Sequence, residues 1–161
     1  MLVAGAILVA AEFVHPAFAD PPTRELTAPA PVRRILERGC YDCHSDQTRW
    51  PWYSRVPPIS FWIRREVDEG RQRLNFSAWT DYASDPGSED QKLDEIARLL
   101  KSGAMPPWYY AAMHPDARLS DSERAAITRW IADEKSADEK SAGEKSSHSG
   151  ARDASSKWPA R

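Results

Sequence analysis

Four stretches of the chain place apolar residues at helical spacing, and none alternates them in the two-residue rhythm of a strand. Val32, Ile35, Leu36 and Gly39 fall at i, i+3, i+4 and i+7, which predicts a helix from Pro31 to about Arg38 with one apolar face. Ile59, Trp62, Ile63 and Val67 predict a second helix, closing near Gly70 or shortly beyond. Leu93, Ile96, Ala97 and Leu100 predict a third. It opens at Ser88-Glu89-Asp90-Gln91, which has capping-box spacing, and stops at Gly103 in the C′ position. A second box, Ser120-Asp121-Ser122-Glu123, opens a fourth helix that runs to about Glu134 with Ile127, Trp130 and Ile131 on its apolar face. The expected fold is all-α, a bundle of about four helices.

The segments outside these helices divide the chain. Leu2 to Val14 is apolar except for Glu12, the length of a signal-peptide core, and Ala17-Phe18-Ala19 fits a cleavage site. Residues 1–19 therefore read as a signal peptide or an N-terminal membrane anchor, and the protein as exported, periplasmic or anchored facing the periplasm. Residues 20–31 carry Pro21, Pro22, Pro29 and Pro31 and read as an extended linker before a domain at 32–134. From 135 to 161 an Ala-Asp-Glu-Lys-Ser repeat has no apolar face, so a low-complexity, disordered tail is expected.

Composition adds little except at two points. A net charge of −2 argues against nucleic acid as a partner. Seven Trp is a high count, and Trp50-Pro51-Trp52-Tyr53 sits in a loop closed by Pro57-Pro58, which suggests aromatic side chains covering something. Trp108 belongs to the same group of pocket candidates.

What they would cover is indicated by Cys40-Tyr41-Asp42-Cys43-His44. C-x-x-C-H is the attachment pattern of c-type haem: two thiols about one helical turn apart can each add to a vinyl group of one porphyrin, and the following His lies under the iron. Two other chemistries compete. A thiol-disulfide pair needs only C-x-x-C, but it expects a βαβ setting and makes no use of the His. A zinc site would need a fourth ligand from His15, His114 or His148, and adjacent Cys43 and His44 make a poor tetrahedral pair. Cys40 and Cys43 are the only cysteines, so one covalent haem is the most the chain can hold.

The iron's other face needs its own ligand. Met105, in Gly103-Ala104-Met105-Pro106-Pro107, lies just past a helix end where two prolines stiffen the loop, and is favoured over His114. Arg49, Arg55 and Arg71 are candidate partners for propionates.

The run from Cys40 through Trp50-Pro51-Trp52-Tyr53-Ser54 resembles the haem-binding domain family, small exported bacterial proteins similar to single-haem cytochromes c. The resemblance continues through Glu69-Gly70-Arg71 and Leu74-Asn75-Phe76-Ser77, then resumes at Gly103-Ala104-Met105-Pro106, His114 and Trp130. It implies a compact cytochrome c-like helical fold around a haem attached at Cys40 and Cys43, with His44 as axial ligand. The expected function is electron transfer with redox proteins as partners, a carrier rather than a catalyst. A haem sensor or peroxidase-like protein with an open distal position is the alternative, and a C-x-x-C oxidoreductase a more distant one.

Overall fold

The computed structural model describes residues 25–85 and 87–153, and among them every regular element is a helix. The N-terminal apolar segment, the proposed cleavage site and His15 lie outside the described residues. Seven α-helices follow in order: α1 (Ala30–Gly39), α2 (Tyr41–His44), α3 (Ile59–Arg73), α4 (Trp79–Ala83), α5 (Ser88–Lys101), α6 (Trp108–Met113) and α7 (Asp121–Asp153). Two 3-10 turns, Trp52–Arg55 and Pro115–Ala117, punctuate the connections.

The four expected helices are α1, α3, α5 and α7; the three short ones carry too few turns to show a period. The core forms where α1, α5 and α7 meet, with Leu36, Leu93 and Ile127 fully enclosed. Phe76 completes it, stacked between Tyr41 at 5.3 Å and Trp79 at 6.2 Å. Burying side chains of this size contributes about 1.5–3 kcal/mol each.

Three expectations need correction. Residues 25–29 are not a free linker: Leu26 is buried and its amide donates to the Phe76 carbonyl at 3.1 Å, so the domain's packing begins before Val32. The face of α3 carrying Ile59 and Trp62 is not buried, and Val67 alone of that set reaches the interior. The last helix does not stop near Glu134 but continues to Asp153. Ala, Glu and Lys are strong helix formers, and a repeat that buries nothing can still propagate a helix already started by a packed segment.

Candidate functional site

Helix α1 ends at Gly39, and the backbone turns through Cys40 into α2, so both cysteines and His44 are presented by one continuous stretch. The close approach of the next layer explains Gly39: a Cβ there would lie 3.2 Å from Leu119 Cδ2. Against α2 packs α3, and the contact is closest at Gly70, where a Cβ would meet the Cys43 carbonyl oxygen at 2.5 Å. No larger residue fits without moving backbone.

That approach fixes His44. Its Nδ1–H donates to the carbonyls of Gly70 at 3.0 Å and Leu74 at 3.1 Å. Both partners are acceptors only, so the proton sits on Nδ1 and Nε2 keeps its lone pair. Burial holds the imidazole pKa below its ordinary value, which keeps the ring neutral. The Phe76 ring stands edge-on to His44 at 6.4 Å, and the Phe76 amide donates to the His44 carbonyl at 2.8 Å. A neutral imidazole with an oriented Nδ1–H and an available Nε2 is the arrangement of a metal-ligating histidine.

Cys40, Cys43 and His44 form one wall of a cavity of about 360 Å³. Leu99, Leu100, Met105 and Pro106 line it as well, with Tyr109 and Tyr110 beside them and charged residues including Glu66, Arg73, Lys92 and Arg98. The volume lies within the roughly 300–1,000 Å³ of small-molecule and cofactor sites. Loss of water pushes the Cys40 thiol up to about 12 and the Cys43 thiol to about 11. Burial thus works against the thiolate that a reactive disulfide-exchange cysteine needs. Among the described residues no three His, Cys, Asp or Glu side chains gather to hold a bare metal ion.

Met105 is half-buried at the cavity, and its carbonyl accepts from Arg124 Nη1 at 2.9 Å. His114, the other candidate, does not line it. Its Nε2 pairs with the Tyr53 hydroxyl at 3.0 Å, its Nδ1 with the Tyr110 carbonyl at 3.1 Å, and its ring stacks on Tyr110 at 4.2 Å. Trp50, Trp52 and Tyr53 also stay away from the cavity; Trp52 is 78% exposed and Trp108 82%. The tyrosines, rather than the tryptophans, supply the aromatic wall. Tyr109 donates to Glu66 and Tyr110 to Asp42, each at 2.7 Å, and both hydroxyl pKa values are raised by burial and by the carboxylate beside them.

Asp42, between the two cysteines, is buried and receives Arg49 through its backbone amide, Nε and Nη2 as well as the Tyr110 hydroxyl. Arg71 donates to the Ser45 carbonyl and the Thr48 hydroxyl. Both arginines therefore brace the loop after the cysteine motif.

Residues 6–133 match the haem-binding domain family. The chain belongs to that family. Over 102 residues, 63% of its length, this haem-binding domain is 29% identical to cytochrome c peroxidase Ccp of Escherichia coli strain K12, and it spans 22% of that protein. No solved structure matches it. The match makes the chain a haem protein, and the donor set fits the group: an oriented imidazole nitrogen, two adjacent thiols, and a thioether in the same apolar cavity.

Proposed function

We propose that this protein carries a single c-type haem, attached through Cys40 and Cys43 and held axially by His44 and Met105, and transfers electrons in the cell envelope. The observation that carries the reading is that His44 and Met105 face one cavity while both ring nitrogens of His114 are engaged elsewhere. A haem ligated in this way cycles one electron, at a potential above that of a bis-histidine site.

The chain's own part is to hold and screen. The Gly70 carbonyl belongs to the last turn of α3 and the Leu74 carbonyl to the residue that caps it, so the negative end of a helix dipole lies at the Nδ1–H of His44. This increases electron donation from the imidazole and opposes the effect of the thioether. The walls of Leu99, Leu100, Pro106 and Phe76 limit water at the site. The apolar segment before residue 15, part of which lies within the family match, supports export or anchoring, with other redox proteins as partners.

A peroxidase-like or sensing role is the second reading, supported by the name of the 29% identical relative. Carbon monoxide separates the two. Protein made with c-type maturation factors should give a low-spin spectrum with a thioether-to-iron charge-transfer band, and the ferrous form should bind carbon monoxide poorly. Met105→Ala should abolish the band and admit carbon monoxide, and His114→Ala should do neither. A wild-type haem that is high-spin or binds carbon monoxide readily moves the protein to the peroxidase or sensor class. Protein without covalent haem after maturation returns Cys40 and Cys43 to thiol chemistry.

A further inference from the structure

One side chain of α7 reaches the backbone of the loop that carries Met105. Arg124, in the first turns of α7, donates from a single nitrogen, Nη1, to the Leu100 carbonyl at 3.0 Å and the Met105 carbonyl at 2.9 Å. Leu100 is in the last turn of α5, and Met105 lies beyond the Gly103 turn with which that helix ends. One guanidinium nitrogen thus closes the loop across its base, using both of its hydrogens. The backbone closes the turn itself, with the Gly103 amide on the Leu100 carbonyl at 3.2 Å and the Ala104 amide on the Leu99 carbonyl at 3.1 Å, but at Met105 its hold is longer, 3.4 Å from the amide to the Leu99 carbonyl. The α7 backbone beneath Arg124 is itself set, since the Arg124 amide donates to the Ser120 carbonyl at 3.0 Å.

We infer that Arg124 is the positioning residue for Met105, clamping the loop so that the thioether stays directed at the cavity; this rests on the reading of Met105 as axial ligand. Geometry explains the choice of residue. Two carbonyls must be held by coplanar hydrogens of one nitrogen, which a guanidinium supplies in a rigid plane and a lysine ammonium does not. Without the clamp the two carbonyls lose a charged donor, and Pro106 and Pro107 stiffen the loop but cannot aim it.

The test compares wild type, Arg124→Leu and Arg124→Lys as haem-loaded full chains, each also in a Met105→Ala background. In Arg124→Leu the pH at which the ferric thioether band is lost should fall by about one unit, and ferrous carbon monoxide affinity should rise roughly ten-fold. Arg124→Lys should lie between the two, and deuterium uptake at the amides of Ala104 and Met105 should increase in both variants. In the Met105→Ala background neither substitution should alter carbon monoxide affinity, because no thioether remains to be positioned. Should Arg124→Leu fail to fold, Arg124→Lys carries the same comparison. A folded Arg124 variant with wild-type band stability and carbon monoxide affinity overturns the assignment while leaving Met105 as ligand. A wild type without the thioether band removes both readings together.

Discussion

Gly70 does two things with one backbone. Its carbonyl receives the His44 Nδ1–H, and its missing side chain leaves room for the Cys43 carbonyl. Gly70→Ala should therefore be among the most damaging conservative changes in the chain. With a Cβ meeting a backbone oxygen at 2.5 Å, α3 must withdraw from α2, at a cost of about 1–3 kcal/mol. Urea unfolding of the loaded protein should show that loss, and the retained fraction should hold less haem. An alanine variant as stable as wild type would mean that the two helices slide apart freely. The sequence shows this residue as a helix terminator and gives no hint of its second role, because the partners of His44 are backbone atoms far along the chain. That Cys40, Cys43 and His44 belong together is legible from their local spacing, and the cavity adds that Met105, singled out by its proline-stiffened setting, lines the same space. Tyr109 and Tyr110 line the cavity in place of the richer tryptophan cluster, since aromatic composition does not say which way a ring points.

Among the elements, helix starts tested sequence reading most sharply. Of the two expected capping boxes, the one at α7 forms: the Ser120 amide donates to Glu123 at 2.8 Å, and Ser120 Oγ accepts the Glu123 amide at 3.3 Å. The one at α5 does not, because Ser88 already lies inside the helix and Gly87, at φ +82°, takes the cap position. Glu89 instead accepts the Trp79 indole N–H at 2.6 Å and ties α4 to α5. The formed box leads to a pH prediction. The Ser120 amide and the Arg38 guanidinium hold the Glu123 carboxyl down to about 2. A carboxylate lowered on folding contributes stability that is fully present above its ordinary value near 4.5 and is lost as pH falls toward 2. Glu123→Gln should thus be less stable than wild type at neutral pH by about 1 kcal/mol, a modest figure for a solvent-screened carboxylate. The two unfolding curves should converge near pH 2; a gap independent of pH would assign the effect to packing.

Among the described residues the molecule is a helical bundle whose last helix is its longest. Helix α7 spans 33 residues, about 50 Å at 1.5 Å per residue. Lys135, near its middle, ties it to Asp94 of α5 at 2.6 Å. Ser136 and Ser141 bond only within their own helix. Ending the chain after Ser141 should therefore leave thermal stability within about 0.5 kcal/mol of wild type and the haem spectrum unchanged. A clear loss in either would show that the repeat supports the fold. The same large scale gives the tryptophans a use apart from walling the cofactor. Trp79 and Trp130 are buried in the core, whereas Trp50, Trp52, Trp62 and Trp108 are exposed to different degrees. A haem absorbs where indoles emit, so apoprotein should fluoresce with a red-shifted, water-exposed maximum that dims as the cavity fills. Because these rings stand outside the site, the molecule carries a built-in optical gauge of its own loading.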